Sequence, residues 1–153
     1  MSRSNIATMR FVFLTILLLI CTASVSYRSK VEYLANIIYA EAGGETFRAK
    51  QGVATVIWER AKGDSSKIHS VITTPSHFAS PRKEDDDAWT DCMDLARDMY
   101  RGKFEPLMIM LNNTHVYPDH FYHGLAPYWA RGKPYSKIGK LKFTRLAEDE
   151  EEN

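Results

Sequence analysis

Two acids flank a glycine pair in Ile38-Tyr39-Ala40-Glu41-Ala42-Gly43-Gly44-Glu45. Glu41 closes one apolar segment and Glu45 opens the next. A carboxyl partly withdrawn from water can hold a proton and deliver it to a leaving oxygen, as the breaking of an acetal bond requires. An acid beside a turn is more often an ordinary solvated side chain, so the pair needs company before it implies chemistry. His120-Phe121-Tyr122-His123 and Pro127-Tyr128-Trp129-Ala130 supply some, being dense in rings and polar tips. Rings stack on the apolar faces of sugars, and polar tips reach their hydroxyls. The same composition also builds a plain aromatic corner of a small core.

Other chemistries find less support. His115, His120 and His123 with one acid could make a zinc set, but there is no H-E-x-x-H pattern and no cysteine pair, so no metal is expected. No G-x-S-x-G elbow is present, and Gly43-Gly44 is not followed by the Gly-Lys-Ser/Thr of a phosphate loop. No cofactor is expected either. Cys21 and Cys92 are the only cysteines. Cys92 falls on the apolar face of a predicted helix, where a thiol is a small hydrophobe.

The elements that would position these groups are mostly helical. Val31, Leu34, Ile37 or Ile38, and Ala42 recur at helical spacing, which predicts a helix over residues 31–41. Gly43-Gly44 should end it in the left-handed conformation, and Thr46 should cap the next helix. In that helix Phe47, Gln51, Ala54, Ile57, Trp58 and Ala61 share one face, and it stops near Gly63. Glu41 then sits in a helix–turn–helix corner. Glu45 lies at the start of the second helix, where the dipole favours negative charge. Ser65 to Thr74 reads as a short helix with Ile68, Val71 and Ile72 inward, stopped by Pro75. Residues 76–81 read as a loop and Arg82 to Asp87 as a solvated stretch, with Asp87 a cap. Ala88, Cys92, Leu95, Ala96 and Met99 give a strong amphipathic helix that closes at Gly102. Pro106 to Met110 is a strand or a buried connection, since periodicity does not choose. Asn112 to Pro118 reads as a loop, and a short strand is expected where Leu141, Phe143 and Arg145 alternate with Lys142 and Thr144.

At 153 residues the chain suits one domain with a real core. Residues 27–147 carry 18 basic and 14 acidic side chains, a mild excess that suits an anionic polymer without selecting one. Residues 1–26 have the three parts of a secretory signal: a start with Arg3 and Arg10, an apolar run from Phe11 to Cys21, and small residues after it. Export follows as the expectation. An uncleaved anchor, and with it membrane association through this segment, is the alternative. If residues 1–26 are removed, Cys92 has no partner for an internal disulfide. Residues 146–153 are acidic and read as a disordered tail.

In their order and spacing these motifs resemble the SleB family of cell-wall hydrolases. The resemblance begins with Leu34-Ala35-Asn36-Ile37-Ile38-Tyr39-Ala40-Glu41-Ala42-Gly43-Gly44-Glu45. It continues through Gln51-Gly52-Val53-Ala54 to Glu59-Arg60, Val71-Ile72, Phe78-Ala79-Ser80, Ala88-Trp89, Leu95-Ala96 and Gly102. It ends with His120 to His123, Pro127 to Ala130 and Ile138-Gly139, covering residues 31–145. It implies a compact, mostly helical α+β domain with a small β element and a lysozyme-like catalytic corner. It implies action on peptidoglycan glycan strands, at the bond between N-acetylmuramic acid and N-acetylglucosamine; a monomer without a nucleic-acid partner is the expectation.

The family's catalytic acid corresponds to Glu41. In the family's lytic transglycosylases that acid, with a raised pKa, protonates the glycosidic oxygen. It then helps deprotonate the muramic 6-hydroxyl, which closes on the anomeric carbon. Glu45, Phe78, Tyr122, His123, Tyr128 and Trp129 are the candidate substrate-binding residues. The chain departs from the family at Glu59, where asparagine is common, and at Leu141 and Thr144, where a histidine and a tyrosine are usual. A water-using muramidase at the same corner, or a wall-binding module that has lost catalysis, are the rival readings.

Overall fold

The computed structural model describes residues 12, 26–75, 78 and 87–146. The expected signal segment falls outside the described residues apart from residue 12 and its end at residue 26, as do the acidic tail beyond residue 146 and most of 76–86. Four helices and two small sheets make up the rest, the mixed and mainly helical architecture that the sequence implies. Helix α1 covers residues 26–42, α2 Phe47–Arg60, α3 Ile68–Thr73 and α4 Asp87–Arg101. Strands β1 (Ile109–Leu111) and β2 (Thr114–Val116) form an antiparallel hairpin. Strands β3 (His120–His123), β4 (Ser136–Ile138) and β5 (Leu141–Thr144) form an antiparallel sheet in the order β3-β5-β4.

The core lies where α1, α2 and α4 meet the second sheet. Leu34, Ile37 and Ile38 of α1, Val53, Val56 and Ile57 of α2, and Cys92, Ala96 and Met99 of α4 are buried together with Leu141 and Phe143. Cys92 is the small buried hydrophobe that the spacing suggests. Helix α2 comes close to β5 because Gly52 has no side chain. A Cβ there would stand 2.6 Å from Cζ of Phe143, a fully buried ring. Between α2 and α4 the Lys50 ammonium meets a carboxylate oxygen of Asp91 at 2.9 Å, with the lysine almost wholly covered.

Several elements form for reasons other than those expected. Gly43 ends α1, but neither Gly43 nor Gly44 takes the left-handed conformation. Gly43 is required by crowding: its N–H donates to Tyr39 O at 2.7 Å, and a Cβ would lie 2.6 Å from the same oxygen. Thr46 caps α2 as predicted, its hydroxyl accepting from Ala49 N–H at 3.4 Å. Phe47, placed on the inner face by spacing, is exposed, although Ala49 and Lys50 of the same turn are buried. Asp87 is the first residue of α4 rather than its cap.

Residues 112–118 are not simply a loop. Asn112 and Asn113 both adopt positive φ (48° and 65°), the turn that a two-residue hairpin needs, and Thr114–Val116 pairs back on β1. Neither β3 nor β4 was anticipated. In β5 the alternation fails at Thr144, which is buried and donates its hydroxyl to Pro134 O at 2.6 Å. Among the described residues no helix is long and apolar enough to cross a membrane.

Candidate active site

Glu41 lies in the last turn of α1, half-buried, and lines a cleft of about 610 Å³. Arg60 reaches the same cleft from the last residue of α2. His120, Phe121, Tyr122 and His123, the whole of β3, form one wall, and Trp129 joins them from the short 3-10 helix Tyr128–Ala130. Alternate residues of a strand point to opposite faces of its sheet. A cleft touched by four consecutive residues therefore runs along the strand's rim, and β3 is an edge strand of its sheet.

The wall is held by polar contacts behind it. Arg60 Nε donates to Asp119 O at 2.9 Å, and its guanidinium lies 5.5 Å from the centre of the Phe78 ring. Burial lowers the Arg60 pKa and the nearby Asp119 carboxylate raises it; the guanidinium remains a cation. Oδ1 of Asp119 lies 2.9 Å from Nδ1 of His120 and accepts the Leu146 N–H at 3.0 Å. Burial alone would push the Asp119 carboxyl up. The hydrogen bonds from His120 and Leu146, with the charges of His120 and Arg145, outweigh it and hold the group below the usual carboxylate range. The His120 ring is 5.1 Å from Trp129, and Tyr122 meets Trp129 edge-on at 5.7 Å. Burial, with Tyr135 beside it, raises the Tyr122 pKa, so its phenol stays a neutral donor.

The structure gathers some of the expected residues and separates others. Glu41, Tyr122, His123 and Trp129 meet in the cleft. Phe78 is a flanking residue, half-buried against the core with its ring 6.4 Å from Phe121. Tyr128 is 88% exposed and does not line the cleft. Glu45 does not line it either. Its Oε2 accepts the Lys140 N–H at 3.1 Å and lies against Gly139, whose φ of +61° makes the β4–β5 turn. Glu45 thus clips the α1–α2 corner to the sheet that carries the far wall.

Sequence reasoning did not single out Arg60, and it placed His120 and Phe121 in the ring-rich segment without naming either as a binding residue, weighing His120 by itself as a metal ligand. The adjacency of Asp119 and His120 was the available signal. His115 sits on β2 in the other sheet, away from His120 and His123, and no group of three metal-binding side chains occurs among the described residues. The departures at Leu141 and Thr144 are both fully buried, so they pack the interior instead of facing the cleft. Glu59, the third departure, accepts from Arg145 Nη1 at 3.1 Å and ties α2 to the end of β5.

The arrangement can present one carboxyl, one fixed cation, two imidazoles and an aromatic plate to a polar, ring-shaped ligand. No protein-family profile matches the chain, and no curated protein matches it. Two solved structures share its fold. The catalytic domain of the Bacillus cereus SleB protein matches with a TM-score of 0.53 at 21% identity, over 77% of this chain and 91% of that one. The catalytic domain of the germination-specific lytic transglycosylase SleB from Bacillus anthracis matches with a TM-score of 0.52 at 22% identity, over 76% and 93%. The chain therefore has the fold of a SleB catalytic domain.

Proposed function

We propose that this protein cleaves peptidoglycan between N-acetylmuramic acid and N-acetylglucosamine, as a lytic transglycosylase with Glu41 as its acid. The observation that carries the reading is the place of Glu41: in a cleft walled by rings and hydrogen-bonding tips, within a SleB catalytic fold. Glu41 delivers a proton to the glycosidic oxygen. The muramic 6-hydroxyl, and not water, then closes on the anomeric carbon. Hydrolases of either stereochemistry ordinarily place a second carboxyl opposite the first. Among the described residues that line the cleft, Glu41 is the one carboxylate, which favours the intramolecular route.

Trp129 and Tyr122 offer ring faces and a phenol to the sugars, His123 an imidazole, and Arg60 a fork of donors to acetamido or lactyl oxygens. Phe78 flanks this surface through its contacts with Phe121 and Arg60. The amino-terminal pattern of an export signal supports a location outside the cytoplasm, where this substrate is found. The test is Glu41→Gln on purified peptidoglycan. Clearing should be abolished while folding and wall binding persist, and the wild-type products should carry 1,6-anhydro ends by mass spectrometry. Undiminished clearing by the variant would remove Glu41 from its role, and reducing ends in place of anhydro ends would establish the water-using route.

A further inference from the structure

We infer that His120, oriented by Asp119, is the group that takes the proton from the attacking hydroxyl, so that the two proton transfers fall to two residues instead of to Glu41 alone. The inference rests on the lytic reading above. It starts from the two ring nitrogens. Nδ1 of His120 lies 2.9 Å from Oδ1 of Asp119. That carboxyl is held below its ordinary range and accepts hydrogen bonds only. Nδ1 therefore carries the hydrogen, and in the neutral ring Nε2, on the opposite edge, carries the lone pair.

The ring's position is fixed from two sides. Asp119 is itself pinned through the Leu146 N–H on its carboxylate and Arg60 on its carbonyl. Trp129 lies against the imidazole at 5.1 Å. The ring lines the same cleft as Glu41, from the facing strand. A base held in one tautomer by a carboxylate behind it is the arrangement that makes an imidazole effective against a hydroxyl.

The step balances. The bond from the anomeric carbon to the bridging oxygen breaks as that oxygen takes the proton of Glu41. The muramic C6 oxygen forms the new bond to the anomeric carbon and gives its proton to Nε2 of His120. Glu41 ends as carboxylate and His120 as imidazolium, and one proton passing from the second to the first restores both. The charged and titratable groups around the ring are Asp119, Tyr122 and His123 from its own segment, Glu41 from α1, Arg60 from α2, and Arg145 beyond β5, which acts through Asp119.

The test uses the full chain on insoluble peptidoglycan, with initial rates measured across pH and products read by mass spectrometry. His120→Gln should lower turnover by about a hundredfold or more with wall binding unchanged. It should also flatten the acidic limb that a neutral imidazole base imposes on the rate. Asp119→Asn keeps an oxygen for the Leu146 N–H and removes the charge, so it should lower turnover less and displace that limb to lower pH. It serves also if the first variant does not fold. Turnover within threefold of wild type in His120→Gln overturns the inference. So does a loss in either variant that leaves the shape of the pH profile unchanged. Glu41→Gln run in parallel separates the two proposals. Its retained activity would defeat the lytic reading, whereas an inactive Glu41→Gln beside a fully active His120→Gln defeats only the division of labour.

Discussion

Replacing Gly52 with alanine should destabilise the protein, against what helix propensity alone predicts. Gly52 is inside α2, where alanine is ordinarily better than glycine by about 1 kcal/mol. The new methyl, however, would lie 2.6, 2.7 and 3.2 Å from three atoms of the Phe143 ring. That ring is fully buried, with the Phe121 ring 6.0 Å from it, so it has little room to move. Overpacking of this kind costs about 1–3 kcal/mol. With three ring atoms inside ordinary contact distance the upper end applies, which leaves a net loss of about 2 kcal/mol after the propensity gain. For a domain of this size that lowers Tm by roughly 8 °C.

Thermal and urea unfolding of wild type, Gly52→Ala, Phe143→Leu and the double variant would measure it. The leucine should make room for the methyl, so the two changes should couple by about 1 kcal/mol or more in the compensating direction. A rise in Tm for Gly52→Ala, or strict additivity in the double variant, would refute the account. Phe121 lines the cleft, so the single variant should also lose activity at temperatures where it remains folded.

Two further outcomes follow from charged groups away from the cleft's centre. Because the native Asp119 pKa is depressed, the stability it contributes is fully present above the ordinary carboxylate pKa and is lost as pH falls through the native value. The stability difference between wild type and Asp119→Asn, measured by urea unfolding from about pH 6 to about pH 2, should therefore shrink toward acid. At the α2–α4 contact, Asp91→Ala strands a buried ammonium and should cost about 2–3 kcal/mol. Lys50→Met leaves only a half-exposed carboxylate and should cost under about 1 kcal/mol. Denaturation midpoints that rank the two variants the other way would remove the pair from that role.

The sequence carried the helical half of this fold well: α1 and α4 bury one stripe each and so print their period on the chain, while α2, buried without a break from Gly52 to Ile57, was legible by its Thr46 cap and the glycine stop at Gly63. It carried the small strands poorly. β4 is three residues long, too short for any alternation to register, and β2 was hidden behind Asn112-Asn113, which signals a turn as readily as a loop. Phe47 and Thr144 went against the pattern, the first exposed at the start of α2 and the second buried with its hydroxyl satisfied by a backbone carbonyl. At the site, Glu41 was legible because a helix end and a glycine turn frame it in eight consecutive residues. Arg60 and His120 were not, because they meet Glu41 only through tertiary packing, and spacing along the chain does not encode the approach of a helix end to a strand edge. Glu45 illustrates the converse: it stands close to Glu41 in sequence, yet it serves the β4–β5 turn 95 positions away.

The placing of the cleft along the rim of β3 has a consequence for association. An edge strand turns every second pair of main-chain groups outward, and such edges invite another chain to add itself as a further strand. Here the strand with the free edge is also the strand that lines the cleft. A second molecule, or any extended peptide, that paired with β3 would have to lie across Glu41 and His120. Self-association by strand addition would thus be self-inhibition, relieved by the polymer that competes for the same rim.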